Sequence, residues 1–253
     1  MAPDRFIVLL FVFVFFFVDR GAVADDAGAL DLSFSIAKSP GGLPIGWEPV
    51  TFRTIKLHTS YRVVKVDGLT ALKAESDNSA SGLVYGIDRP VSQLPILKWK
   101  WKVSKTLKKG DARYKTSDDF SARIYLIFEN RGKGDSLARR IKLELENFIM
   151  GRYSSGTALN YIWANKTPKN SAIKNVYSAR EIMIAVESGD GLAGRWVAES
   201  VDIESDYRKH FKTDPPQLLG LAIMTDSDNT GGKAEAWYAD ISLSKRNHDY
   251  KKD

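Results

Sequence analysis

An acid, a hydroxyl, a guanidinium and a phenol occupy alternate positions near the middle of the chain, at Asp119, Ser121, Arg123 and Tyr125. Alternate residues of a β-strand project from one face, about 7 Å apart. Such a row can bind a hydroxylated or carboxylated chain, because the guanidinium forms paired hydrogen bonds with a carboxylate and the other groups bind hydroxyls. The same row is also typical of the solvated side of an antiparallel sheet, which would carry no site.

Amide and aromatic groups concentrate on a second predicted strand, at Asn160, Tyr161 and Trp163. Aromatic rings offer flat apolar surfaces on which a sugar ring can stack. We therefore predict one ligand-binding face that combines both strands: Asp119, Arg123, Tyr125, Asn160 and Trp163. The alternative is that these aromatic rings pack in the core.

Residues 98–103 alternate between lysines and apolar residues, with Trp99 and Trp101 on the apolar side. If that side faces the core, the indoles are packing residues and the lysines form a basic exposed stripe. If it lines a groove, the indoles become stacking platforms. The core is the favoured interpretation, because burying two indoles is strongly stabilising.

The loop before the last predicted strand carries oxygen-bearing side chains at Asp226, Asp228 and Thr230, followed by two glycines. Oxygen ligands suit Ca²⁺, although no Glu follows at the position that an EF-hand requires. A hairpin loop held by its own Asp and Asn side chains is the alternative. No motif in the sequence indicates that the protein requires a cofactor. Ca²⁺ is the cation that the oxygen ligands of this loop suit. A second acidic segment, 116–119, would create a metal site or an ion-paired cluster if it met this loop.

Composition and missing motifs exclude several classes of protein. The 253 residues contain no Cys and three His, which excludes disulfides, thiolate metal sites and histidine-rich metal sites. Lys and Arg outnumber Asp and Glu by 37 to 31, a net charge of +6 that favours anionic partners but does not indicate nucleic-acid binding. Glycine-rich phosphate loops and the common hydrolase and zinc-protease motifs are absent from the sequence.

The first 24 residues are predicted to be a signal peptide. A basic start precedes the apolar run 6–18, and Ala-Val-Ala at 22–24 supplies small residues for cleavage. Thirteen apolar residues are too few to span a bilayer as a helix, and no other run is long enough. We therefore expect a periplasmic or secreted protein of the bacterial envelope, with no transmembrane segment after cleavage. An N-terminal segment over 25–45 and a basic polar tail over 246–253 flank the remaining chain.

Residues 46–245 predict a single domain of the mainly β class. Eleven short strands separated by Gly, Pro, Asn and Asp exceed one flat sheet, so we expect a two-sheet antiparallel β-sandwich with jelly-roll-like connections. Apolar residues spaced by three and four predict an amphipathic helix over 136–149. A short helix is predicted over 206–211, with Ser205 as its N-cap.

Five motifs in order resemble a known bacterial exported family, the domain-of-unknown-function family 3047. They are GWEP at 46–49, LKWKWKV at 97–103, DDFSARIY at 118–125, NYIW at 160–163 and MTDSDNT at 224–230. The resemblance covers nearly all of the chain after the signal segment. It implies an envelope β-sandwich and carries over no functional residue.

Three functions remain open at this stage. The leading hypothesis is a non-catalytic exported β-sandwich that binds a glycan or another, anionic, envelope component on the predicted face. The second is a polysaccharide lyase or glycoside hydrolase that uses the same face, with Tyr125 or His58 as base or Asp118 in an acid/base pair. The third is a structural envelope protein whose surfaces bind partner chains.

Overall fold

The structure, a computed structural model, describes residues 28–34, 42–129, 136–149 and 156–246. The predicted signal peptide and nearly all of the predicted tail lie outside these residues. The strands run in chain order as β1 (Ala29–Asp31), β2 (Trp47–Val50), β3 (Ser60–Val66), β4 (Leu69–Asp77), β5 (Ala80–Pro90), β6 (Ile96–Val103), β7 (Arg123–Phe128), β8 (Thr157–Ala164), β9 (Ala172–Lys174), β10 (Glu181–Ser188), β11 (Val197–Asp202), β12 (Gln217–Asp226) and β13 (Lys233–Ser244). The α-helices are α1 (Leu137–Ile149) and α2 (Ile203–Phe211).

The strands form two sheets, which confirms the predicted β-sandwich. The first has the order β11-β6-β13-β4-β3, with β1 also paired to β13, and the second has the order β2-β5-β12-β7-β8-β10-β9. The prediction of a wholly antiparallel sandwich is wrong at one pair, because β8 and β10 run parallel. The connection 165–180 is long enough to return the chain to the starting end of the sheet, which parallel pairing requires.

The core between the sheets is rich in aromatic residues from alternate positions of facing strands. Trp99 and Trp101 of β6 are fully buried and their ring centroids lie 5.3 Å apart. Across the core, Trp101 lies 5.7 Å from Trp163 of β8. The interpretation of the two β6 indoles as core is therefore confirmed. Two lysines on the other side of β6 form ion pairs, Lys100 with Asp240 and Lys102 with Asp67.

Helix α1 covers one end of the outer face of the second sheet. Its apolar side buries Ile141, Leu145 and Phe148 against a cluster that includes Tyr125 and Met224. The helix can approach closely because β12 carries Gly220 beneath it: a Cβ there would lie 2.5 Å from Ile141 Cδ1. The predicted amphipathic helix is confirmed, and it begins one residue later than predicted.

The segment 104–122 covers another part of the same outer face. Phe120 packs there in a buried cluster with Ile162, Met183 and Ala185. Asp119, Arg123 and Tyr125, which we expected on an open surface, are therefore at most 2% exposed. A sheet face with a helix on one part and a docked loop on another is not a solvated face.

Helix α2 begins three residues earlier than predicted, and its N-cap is Asp202. The Asp202 side chain accepts a hydrogen bond from the Ser205 amide at 3.0 Å, so the prediction of Ser205 as the cap is wrong. Acidic residues suit this position because they bind the free amides of the first turn.

Among the described residues, neither helix has the length and apolar character needed to cross a membrane.

Glu199 of β11 provides the first testable prediction. Burial raises the pKa of this carboxyl to about 7, from 4.5, against the opposing effect of Lys169. The folded state therefore favours the protonated form of Glu199. The contribution of Glu199 to the free energy of unfolding is largest below pH 4.5 and is lost as the pH rises through about 7. The Glu199→Gln variant keeps an acceptor for Trp101 Nε1, which lies 3.2 Å from Glu199 Oε1.

We expect Glu199→Gln to be more stable than the wild type at pH 8 by about 1–2 kcal/mol, and equal to it near pH 4.5. Urea unfolding at several pH values measures the difference. Glu235→Gln, on the first sheet, is the control and should not change the pH dependence in this way. A Glu199→Gln curve parallel to that of the wild type from pH 5 to 8 would contradict the prediction.

Candidate functional site

A solvent-open cavity of about 330 Å³ lies on the outer face of the second sheet, beside the C-terminal end of α1. Its polar lining consists of Thr54, Asp118, Arg123, Asp226, Asp228 and Asn229, and its other walls include Ile55, Ile149, Met224 and the ring of Tyr177. The volume falls within the range of ordinary small-molecule sites. The cavity thus combines polar groups at the floor with apolar and aromatic walls.

Arg123 lies at the floor, between two acids and two rings. Its Nη2 donates to Asp226 Oδ2 at 2.5 Å, and its Nη1 lies 3.7 Å from Asp118 Oδ2. The guanidinium carbon lies 5.2 Å from the ring centroid of Phe120 and 5.4 Å from that of Tyr125. These contacts fix the group in position, yet Nε and Nη1 have no hydrogen-bond partner among the residues that the structure describes. Arg123 therefore retains unused donors directly below an open cavity.

The acids around Arg123 are unusually basic for carboxyl groups. Burial raises the pKa of Asp118 to about 6, although the Arg123 charge opposes the shift. Burial also raises the pKa of Asp226 well above its usual range, again against Arg123, and that of Asp228, where the Asp119 charge adds to the effect. One arginine does not balance the acids that surround it. Perturbed carboxyl groups in a cleft are typical of functional sites.

A second polar layer lies on the same sheet face, buried beside Arg123. Asn160 Nδ2 donates to Glu181 Oε1 at 2.8 Å. Within the described part of the chain, the Tyr125 hydroxyl, Asn160 Oδ1 and Glu181 Oε2 have no hydrogen-bond partner. Burial raises the pKa of Glu181 to about 7, and the Asp118 charge adds to this shift. Buried polar atoms nearly always have partners, so this concentration of unpaired atoms distinguishes the region from an ordinary core.

The two acidic segments meet at the rim of the cavity. Asp119 Oδ2 accepts a hydrogen bond from the Thr230 amide at 2.6 Å, and Asp119 Oδ1 accepts from the backbone amide of Asn229 at 3.2 Å. One carboxylate oxygen from each of Asp119, Asp226 and Asp228 lies within 4.8 Å of the other two. The acidic segment 116–119 and the loop 226–230 are therefore in contact, as a metal site or an ion-paired cluster would require.

The predicted binding face is only partly assembled. Asp119, Arg123, Tyr125 and Asn160 lie in one buried region, and among them Arg123 lines the cavity. Trp163 does not join them, because it is three residues after Asn160 and an odd offset in a strand reverses the face. It lies in the inter-sheet core, where Nε1 donates to the Gly189 carbonyl at 3.0 Å.

Glu181 and Tyr177 are the residues that sequence reasoning missed. Glu181 alternates with Met183 and Ala185 along β10, so their spacing of two could have placed it on this face. Tyr177 lies in an irregular segment between β9 and β10, where no periodicity indicates its direction. His58 lines a different cavity, with Ser60 and Ser79.

Residues 45–242 match the family described as a protein of unknown function (DUF3047). The matched range contains all the helices and strands except β1 and the last two residues of β13. The chain belongs to this family. The resemblance stated from the five motifs is therefore confirmed. The comparison with curated proteins finds no match.

Several solved structures resemble this member of the DUF3047 family. They include a family 11 carbohydrate-binding module of a cellulosomal cellulase of Clostridium thermocellum, with a TM-score of 0.44 and 9% identity, covering 89% of this chain and 100% of that chain. A cellulase derived from Cel12A of Rhodothermus marinus has a TM-score of 0.41 and 12% identity, covering 85% and 99%. A family 29 carbohydrate-binding module from Piromyces equi has a TM-score of 0.34 and 10% identity, covering 88% and 94%. No ligand or activity is carried over from these likenesses.

Proposed function

We propose that this DUF3047 protein is a non-catalytic exported β-sandwich of the cell envelope that binds a glycan in the cavity above Arg123. The observation that carries the proposal is that Asp118, Arg123 and Asp226, which line an open cavity, each have a buried polar atom without a partner among the described residues. Export rests on the signal-peptide pattern of residues 1–24.

The chemistry of the cavity suits a sugar better than a purely apolar ligand. Sugar hydroxyls both donate and accept hydrogen bonds, and the floor offers acceptors on Asp118 and Asp228 and donors on Arg123 and Asn229. The half-buried Tyr177 ring supplies a surface on which the apolar face of a sugar can pack. A glycan therefore uses every kind of group in the lining.

The charges favour a neutral or amino sugar. Three carboxyl groups and one guanidinium line the cavity, and the guanidinium is already paired with Asp226. In the metal-free protein, a uronate or phosphate would approach more negative than positive groups, which is unfavourable. Of the ligands expected from the sequence, a glycan therefore fits better than an anionic envelope component. We propose that the bound sugar residue carries no carboxylate or phosphate group.

The second testable prediction concerns Tyr177. The Tyr177 hydroxyl donates to the Lys115 carbonyl at 2.6 Å, so the ring is held at the cavity wall. A panel of immobilised envelope and cell-wall glycans identifies the ligand, and calorimetry then measures its affinity. We expect Tyr177→Ala to weaken binding about five- to thirtyfold, because aromatic packing contributes on the order of 1–2 kcal/mol.

Two controls accompany this experiment. Tyr177→Phe keeps the ring but loses the hydrogen bond to the Lys115 carbonyl, so it should weaken binding much less than Tyr177→Ala does. Tyr114→Ala removes a 58% exposed ring that does not line the cavity, and it should leave binding unchanged. Recovered glycans should be intact, as a non-catalytic protein requires. Equal affinity of Tyr177→Ala and the wild type, or cleavage of the bound glycan, would contradict the proposal.

A further inference from the structure

We propose that Asp119, Asp226 and Asp228 form a binding site for Ca²⁺ at the rim of the cavity. The sequence indicated the loop that contains Asp226, Asp228 and Thr230, and the structure brings Asp119 from a distant segment to complete the group. The proposal does not depend on glycan binding.

Converging carboxylates alone do not make a site, but here one of their oxygens has no partner. Asp226 is 1% exposed; its Oδ2 binds Arg123, whereas its Oδ1 has no hydrogen-bond partner in residues 28–34, 42–129, 136–149 and 156–246. Thr230, in the same loop, lines a different cavity with Lys105 and Asp190, so its hydroxyl is not counted in the group. Leaving Asp226 Oδ1 unpaired costs about 1–3 kcal/mol, so a cation that binds it would be stabilising.

The balance of charge points the same way. Among the described residues, the ion pairs of the floor join Arg123 to Asp118 and to Asp226. Asp119 and Asp228 add two further carboxyl groups at close range. A divalent cation would reduce the mutual repulsion that these groups otherwise face in a poorly solvated place.

The donor atoms select the kind of metal. Carboxylate and hydroxyl oxygens suit hard cations, and neither Cys nor His belongs to the group. Ca²⁺ accepts six to eight oxygens in flexible arrangements, so water can supply the ligands that the side chains do not. Mg²⁺ requires a near-ideal octahedron and is the weaker candidate. The ion can reach the site because Asp226 and Asp228 line the open cavity.

We expect Ca²⁺ to stabilise the wild type more than it stabilises Asp228→Asn. The full protein is freed of metal with a chelator and titrated with CaCl₂, and binding is followed by calorimetry and by the unfolding midpoint Tm. We expect Tm to rise by about 5–10 °C when Ca²⁺ reaches about a hundred times its Kd. Asp228→Asn should bind Ca²⁺ at least about tenfold more weakly, because it removes a charged ligand from a partly exposed position.

The same variant tests whether Asp228 has only a structural role. Without metal, Asp228→Asn should have a Tm equal to or above that of the wild type, since it neutralises a carboxylate that lies close to those of Asp119 and Asp226. Asp240→Asn, on the first sheet, is the matched control and should keep the wild-type response to Ca²⁺. MgCl₂ should produce a smaller shift than CaCl₂.

Three results would overturn the proposal: no binding heat or Tm shift at about 5 mM CaCl₂, an unchanged response in Asp228→Asn, or an equal loss in Asp240→Asn. The titration contains no glycan. A protein that binds Ca²⁺ but no glycan would therefore refute the proposed function and support this inference, and the reverse result would do the opposite.

Discussion

Replacement of Arg123 by methionine is expected to lower the free energy of unfolding by about 3–5 kcal/mol, the largest effect at the candidate site. Methionine preserves most of the volume but leaves Asp226 and Asp118 without their cation, and both acids are at least nine-tenths buried. Removing one partner of a buried ion pair is costly because the remaining charge cannot regain its hydration. Urea unfolding at pH 7 measures the loss.

A second variant separates lost charge from lost packing. In the Arg123→Met, Asp226→Asn double variant the acid that Arg123 contacts most closely is neutral, so we expect about half of the lost stability to return. Lys142→Met, which removes an ion pair with Glu48 at the surface, is the control and should change stability by less than about 1 kcal/mol. A loss below about 1 kcal/mol in Arg123→Met would show that the cluster does not depend on this charge.

Replacement of Trp163 by alanine is expected to cost about 3–5 kcal/mol. The side chain is fully buried, contacts Trp101 at 5.7 Å between centroids and donates to the Gly189 carbonyl. Its removal leaves a large void that a close-packed core cannot refill. Denaturant unfolding again gives the magnitude, and Trp163→Phe should lose less because it keeps a ring in place.

This prediction distinguishes a packing role from the ligand-binding role expected of Trp163 on sequence grounds. Trp196→Ala is the matched control: this half-buried indole immediately precedes β11, its ring centroid lies 5.4 Å from Lys102 Nζ, and its loss should cost about 1 kcal/mol or less. If Trp163→Ala were as stable as the wild type and instead failed to bind the glycan, the core assignment would be refuted.

Local patterns determined much of the fold. Apolar residues alternate along 120–128, which predicts that they share the face toward the inter-sheet core. Ala122, Ile124, Leu126 and Phe128 lie there, whereas Phe120, which precedes β7, packs on the outer face. The spacing of apolar residues over 136–149 predicts α1, which the structure contains. These predictions hold because each depends on neighbours within a few residues, which a strand or helix arranges in a fixed way. The parallel pairing of β8 with β10 does not follow from such patterns, since either strand alone would suit either direction.

The sequence determined the chemical character of the candidate site, and the tertiary structure determined where its residues lie. The residue types around Asp119 and Arg123 indicated polar recognition, and the loop at 226–230 indicated oxygen ligands for a cation. Only the fold showed that α1 and the segment 104–122 bury that row of side chains, and that Asp119 meets Asp226 across more than a hundred residues. Which surface a helix or loop covers depends on packing between distant parts of the chain, and the short-range periodicity of a strand carries no record of it.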